Sequence, residues 1–257
     1  MEITAEIIGL AIASGAIVGL FLGIFGGGGS VLAAPLLLYV VGVSDPHMAI
    51  GTSAAAVAAI ALFSLFGHWK GGRVKWPCAT VFAASGLFGS ILGSSLAKMI
   101  DGQTLLIGFA IAMATIGLSM FRKPKSEGDP DITITPKLIL KLAPLGLIVG
   151  LAAGFFGIGG GFLIVPGLML ATGMTLSNAT ASSLVSVTIF GATTSANYAL
   201  SGWLDYNLLG LMLLGGIFGG LVGVFIAKKL ASRVNIARKG FAAMIILVAG
   251  YVGLNAI

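Results

Sequence analysis

Two glycine-rich stretches are the residues in this sequence best suited to chemistry: GIFGGGGSVLAAP over residues 23–35 and GFFGIGGGFLIVP over residues 154–166. Consecutive glycines interrupt a helix, since each costs ~1 kcal/mol relative to alanine. The segment after the interruption starts with unpaired N–H groups and a positive dipole end, which suits an anion. Gly26, Gly27, Gly28, Gly29 and Ser30 in the first stretch, and Gly157, Gly159, Gly160 and Gly161 in the second, are therefore the candidate substrate contacts. Neither stretch is a nucleotide-phosphate loop, because no Gly-Lys-Ser/Thr follows. Gly15, Gly19 and Gly23, with Gly146, Gly150 and Gly154, repeat every four residues and read as close-packing surfaces between helices.

Hydroxyls form the second candidate set. Thr52, Ser53, Ser182 and Ser183 stand early in two long apolar segments and are placed to bond an oxyanion. Their alternative role is bonding back to a carbonyl one turn earlier in their own helix, common for such residues in membranes. Asn178 is either a helix cap or a ligand. His47, after Asp45 and Pro46, reads as an interfacial residue at a helix start. His68, beside Trp69 and Lys70, reads as an interface anchor. These two histidines are the candidates for carrying a coupling proton. No cluster of His, Cys, Asp or Glu has metal-ligand spacing, so neither metal nor cofactor is expected. No acid and base accompany a serine as a hydrolase requires. Cys78, the sole cysteine, excludes a disulfide scaffold and reads as a small apolar residue at a helix start.

The elements that must position these residues follow from composition. Of 257 residues, 58% are hydrophobic and 9% charged, against roughly 25% charged in a soluble domain. Mean hydropathy is +1.10. A soluble fold of this size would lack the polar surface to cover itself. The 40 glycines follow no collagen period; they suit closely approaching membrane helices. A net charge of +6, confined to a few loops, does not suggest nucleic acid as a partner. The fold class expected is an all-α polytopic membrane protein.

Charge markers separate apolar runs of ~20 residues, the length of a bilayer-crossing helix. These runs are about 5–25, 47–67, 77–98, 103–121, 142–160, 178–198, 207–227 and 240–256, eight full spans. Two half-length segments, 31–43 and 162–173, are expected to be re-entrant or broken helices. Glu2, ahead of the first run, and Glu6, at its start, stand in place of basic residues, against a cleavable signal peptide. None of the runs contains an internal Asp, Glu, Lys or Arg. Intramembrane ionisable residues usually mark ion and proton pathways, so a carboxylate-driven cation antiporter is disfavoured. A bound anion would be neutralised by helix N-termini, glycine N–H groups and hydroxyls, which leaves the coupling ion unassigned.

The polar, proline-bearing stretch at 122–141 divides the chain into membrane repeats 1–121 and 142–257. The motif residues Gly26, Gly28, Gly29 and Pro35 recur 131 residues later as Gly157, Gly159, Gly160 and Pro166. After a one-residue slip, Ala49, Thr52 and Ser53 match Ala179, Ser182 and Ser183, and Gly86, Gly89, Gly93 and Lys98 match Gly216, Gly219, Gly223 and Lys228. So many coincidences in one register indicate duplication. Loop 68–76 carries three basic residues while its counterpart 199–206 carries none; loop 98–103 is nearly neutral while 228–239 carries five. Basic loops stay cytoplasmic, so equivalent loops lie on opposite sides and the repeats are inverted. The linker is then cytoplasmic and both termini lie outside. Inverted repeats are typical of secondary transporters whose substrate sits near the midplane.

The duplicated G-x-x-G-x-G-G-G-type motif, the short apolar segment ending near proline and the Ala-x-x-[Ser/Thr]-Ser stretch resemble the sulfite exporter TauE/SafE family over essentially the whole chain. The resemblance implies movement of sulfite, sulfoacetate or other sulfonates across a bacterial-type cytoplasmic membrane. The first motif departs slightly, with GGGGS where the second has GIGGG, a difference suited to tuning the site. The expected function is a secondary transporter of small sulfur-containing anions working by alternating access. A passive anion channel on the same glycine-lined pathway is the alternative. An intramembrane enzyme or assembly subunit would require a reactive constellation or a partner-facing domain, and the sequence has neither. The expected partners are a small anion and the lipid bilayer, with homo-oligomerisation left open.

Overall fold

Six helix starts in this chain are set by short polar side chains that take up the first free N–H groups, as N-caps do. The computed structural model describes residues 4–121, 128–130, 132–157, 161–230 and 234–255. Thr4 caps α1 (Ala5–Phe25), Asp45 caps α3 (Pro46–Trp69), and Asp101 caps α5 (Gly102–Met120). Thr135 caps α6 (Pro136–Phe156) and Thr175 caps α8 (Leu176–Ala199). Asp205 accepts from Asn207 and Leu208 N–H at 2.9 and 3.0 Å and so starts α9 (Tyr206–Leu230). The remaining helices are α2 (Ala33–Tyr39), α4 (Trp76–Ala97), α7 (Gly161–Thr172) and α10 (Val234–Asn255). Among the described residues the fold is all-helical, with one isolated bridge joining Asp129 to Met174.

Six described segments are long and apolar enough to cross a membrane: Ala5–Tyr39, Pro46–Trp69, Trp76–Ala97, Gly102–Ser119, Pro136–Phe156 and Tyr206–Ala227. Eight full spans were expected. α8 has the length but is rich in Ser and Thr, so its apolarity falls below that of its neighbours. It keeps those hydroxyls out of lipid by packing against α3, α4 and α7. α10 offers a shorter apolar stretch, Ala242–Asn255. The outward faces of α4 and α9 are apolar, with Phe88, Leu92, Phe218 and Phe225 exposed as a lipid-facing surface requires.

α3 and α8 pack on each other, flanked by α1 with α9 and by α6 with α4. Exchanging the two halves of the chain exchanges the last two pairs. The glycine stripes make these contacts. A Cβ on Gly15 or Gly19 would strike the backbone of Met212 or Gly216 in α9; one on Gly150 or Gly154 would strike Gly86 or Ser90 in α4. The every-fourth-residue glycines are thus helix–helix packing surfaces.

Candidate functional site

The first glycine run ends α1 with a reversal. Gly26 has φ 62° and ψ −138°, a conformation open essentially to glycine alone. Residues Gly26–Leu32 then form a tight 3₁₀ segment before α2. A Cβ on Gly29 would strike the backbone of Phe21 and Leu22, so this segment lies folded against the end of α1. Gly26, Gly27, Gly28, Gly29 and Ser30 are all buried. The Ser30 hydroxyl donates to the Gly27 carbonyl at 2.8 Å and closes the turn from within. In the second half, Gly157 ends α6 in the left-handed region at φ 67°. Gly159 and Gly160 lie outside the described residues, and Gly161 opens α7.

The two breaks meet. A Cβ on Gly161 would collide with the Gly27 carbonyl, and one on Gly27 would lie 2.5 Å from Gly161 Cα and 2.6 Å from Val187 Cγ2 in α8. Each break also abuts the hydroxyl-bearing helix of the opposite half. Gly26 faces the Thr180 carbonyl of α8, while Gly157 faces Ile50 of α3. The Gly27 N–H donates to Ser183 Oγ at 3.0 Å, and that hydroxyl donates in turn to the Thr180 carbonyl at 2.8 Å. Ser53 makes the matching bond to the Ile50 carbonyl at 3.0 Å.

Thr52 and Ser182 do something the sequence did not reveal. Thr52 Oγ1 accepts the N–H of Asp205 at 3.0 Å, and Ser182 Oγ accepts the N–H of Lys75 at 2.9 Å. Position 75 in the first half corresponds to 205 in the second. One cross-half bond is therefore made twice, each pinning the turn ahead of α9 or α4 to the opposite central helix. Both hydroxyls are buried. Asn178 is not the helix cap, which is Thr175. Its side chain donates to the Pro130 carbonyl at 3.2 Å, tying the linker to the start of α8.

His68 departs from the expected placement. His68 is 1% exposed, not an interface anchor; its Nε2 bonds the Gly23 carbonyl in the last turn of α1 at 3.0 Å. A carbonyl can only accept, so Nε2 carries the proton. Trp69, one residue on, is 53% exposed and is the anchor, since a single helical step turns the side chain ~100°. His47 is half-buried in the first turn of α3, its ring stacked on Trp203 at 4.6 Å. It borders a cleft of about 520 Å³ shared with Asp45, Asp101, Gln103 and Asn255. Asp101 is held below its usual carboxylate range mainly by the Thr104 N–H it caps. Among the described residues no group of three or more His, Cys, Asp or Glu is placed to hold a metal ion.

A second feature absent from the sequence reading joins the halves at the end of α4. Lys98 Nζ donates to the Asn197 carbonyl, Asn197 Oδ1 and Ser201 Oγ at 3.1, 2.7 and 3.0 Å. The Asn197 amide donates onward to Ser94 and Ser95. Lys98 thus supplies positive charge to carbonyls at the C-terminus of α8, a favourable placement for a cation.

Residues 11–252 match the family described as sulfite exporter TauE/SafE. A probable membrane transporter protein of Xylella fastidiosa is 45% identical over 248 residues, covering 95% of this chain and 94% of that protein. A probable membrane transporter protein of Haemophilus influenzae is 26% identical, covering 93% and 96%. One from Bacillus subtilis is also 26% identical, covering 85% and 88%.

Proposed function

We infer, from the premise that the chain belongs to the sulfite exporter TauE/SafE family of membrane transporters, that it carries small sulfur-containing anions by alternating access. Sulfite, sulfoacetate and related sulfonates are the substrate class. The observation that carries this reading is the meeting of the two glycine breaks at Gly27 and Gly161, against the Ser183 hydroxyl. Glycine backbone and hydroxyls meet here in an interior that, among the described residues, buries no carboxylate, a setting that suits a small anion better than a cation. Gly26, Gly27, Gly28, Gly29 and Ser30, with Gly157 and Gly161, line its path, and Ser53 and Ser183 flank it; Gly159 and Gly160, outside the described residues, belong to the same proposed set.

In this reading residues 1–121 and 142–257 are repeats of opposite orientation, joined by a cytoplasmic linker at 122–141. The swap of packing partners between α1 with α9 and α6 with α4 supports that symmetry, as does the displacement of basic loops from one repeat to the other. The protein is then a multi-pass protein of the cytoplasmic membrane with both termini outside. The halves would rock about the α3–α8 contact, exposing the breaks to each face in turn.

Three measurements test it. Purified protein in liposomes should take up sulfite or sulfoacetate saturably and show counterflow, while acetate and succinate fail to compete. High unitary conductance in a planar bilayer would replace the carrier with a channel. For orientation, single cysteines near 72 and 235 in a Cys78→Ser background should both be shielded from an impermeant thiol reagent in intact cells. Those near 101 and 203 should react. Labelling of 72 and 235 from opposite faces would sink the inverted arrangement.

A further inference from the structure

The turns that join α3 to α4 and α8 to α9 share one backbone. In each, the residue five after the helix end's polar ring donates back to it: Arg73 N–H to the His68 carbonyl, Trp203 N–H to the Tyr198 carbonyl. Gly72 N–H bonds the Trp69 carbonyl as Gly202 N–H bonds that of Ala199. Gly72 and Gly202 have φ 66° and 76°. Each turn ends with its N–H pinned by Ser182 or Thr52. The side chains on this common frame are opposite in character. The first turn presents His68, Arg73 and Lys75; the second has Tyr198, Trp203 and Asp205 at the same positions. Since both sets fold the same turn, the difference is not demanded by the fold.

Arg73 is the distinctive member. Its guanidinium lies over Gly71, where a Cβ would sit 3.2 Å from Nε. Its Nη2 is buried and has no hydrogen-bond partner among the described residues. A guanidinium offers five fixed donors and stays charged, so a buried unpaired Nη2 is a donor lacking its acceptor. Two residues on, the Lys75 N–H sits on Ser182, and the next residue of α8, Ser183, holds the N–H of Gly27. Trp203 at the other face instead stacks on His47, beside Asp45.

We propose that the 68–75 turn is an anion-capture site, in which the Arg73 guanidinium binds an oxyanion arriving from the face of the basic loops and delivers it toward the glycine breaks. Lys75 adds attraction without needing to touch. This rests on the transport reading above and adds a sidedness to it. A site at one mouth cannot alter the equilibrium across the membrane. It appears as a lower KM on the basic face than on the face of Trp203.

The test uses oriented liposomes containing the full chain, with sulfite and sulfoacetate as probes offered to each face separately. Arg73→Gln should raise KM on the basic face by about tenfold, as loss of a charge-assisted pair predicts, and leave KM on the opposite face unchanged. Arg73→Lys, which keeps the charge and loses the fork, should fall between. A KM unmoved on the basic face, or raised equally on both, would overturn the proposal while leaving the transport reading intact. Binding is read independently of transport through Trp69 and Trp76, whose rings meet at 5.8 Å across this turn. Sulfoacetate should quench their fluorescence saturably in the native protein and not in Arg73→Gln, even if neither anion is transported. Identical titrations, or no quenching in the native protein, would overturn it. Should Arg73→Gln not purify, Arg73→Lys carries both readouts.

Discussion

A Gly161→Ala protein is expected to reach the membrane, purify as a single species and transport almost nothing. The added Cβ would collide with the carbonyl, carbonyl carbon and Cα of Gly27, which are backbone atoms unable to swing aside. The two breaks must then separate. Misplacing a preorganised site by about 1 Å costs on the order of 100-fold, and transport by Gly161→Ala should fall by that much. Gly27→Ala should behave alike, because its Cβ meets Gly161 and Val187 in return. Gly19→Ala provides the contrast. Its Cβ would strike Gly216 in α9, about two helical turns before the first break. Overpacking there should cost roughly 1–3 kcal/mol of stability and spare transport by the folded fraction. Uptake into liposomes, read beside the melting temperature, separates the two kinds of damage. A monodisperse Gly161→Ala protein that transports at the native rate would remove the glycine breaks from the mechanism.

Helix limits were legible in the sequence where polar caps and proline meet apolar runs. Expected spans 47–67, 77–98 and 103–121 lie within one or two residues of α3, α4 and α5. The expected span 142–160 begins six residues late because Lys137 and Lys141 were counted with the polar linker. The helix in fact starts at Pro136, behind the Thr135 cap. Lysines in the first two turns extend their charge to the interface while their stems stay along the helix, so they mark where a span begins. The glycine runs were readable as breaks, since propensity is local. Their meeting at Gly27 and Gly161 was not readable, because it depends on how distant helices cross.

Hydroxyls show the same division. Matching positions picked out Thr52 with Ser182 and Ser53 with Ser183, yet no sequence signal told the pairs apart. Ser53 and Ser183 bond carbonyls of their own helices, with Ser183 also receiving Gly27. Thr52 and Ser182, one residue earlier and turned by ~100°, face the opposite half and hold its turns. A clue existed in the register. Residues 75 and 205 correspond in the same frame that pairs 52 with 182, so one contact implies the other.

Those paired bonds lead to the second large effect. Locking either turn to the opposite central helix should stop transport completely and reversibly. Thr52 with Asp205, and Ser182 with Lys75, are joined by single bonds of 3.0 and 2.9 Å between one half and the other. Each bond contributes about 1 kcal/mol, weak enough for a carrier to break and remake on every cycle. If the halves rock, the bond at whichever face is open must part. Cysteines at 52 and 205, or at 182 and 75, in a Cys78→Ser background would replace that breakable link with a covalent one. Oxidation should then trap the carrier closed at the linked face and abolish net uptake and counterflow, since neither can proceed with one face sealed. Reduction should restore both. Thiol labelling at the unlinked face should persist while the link is in place, which separates a closed gate from an unfolded protein. Full cross-linking with undiminished transport in both pairs would mean that these turns stay together throughout the cycle, and that the halves do not part along the α3–α8 contact.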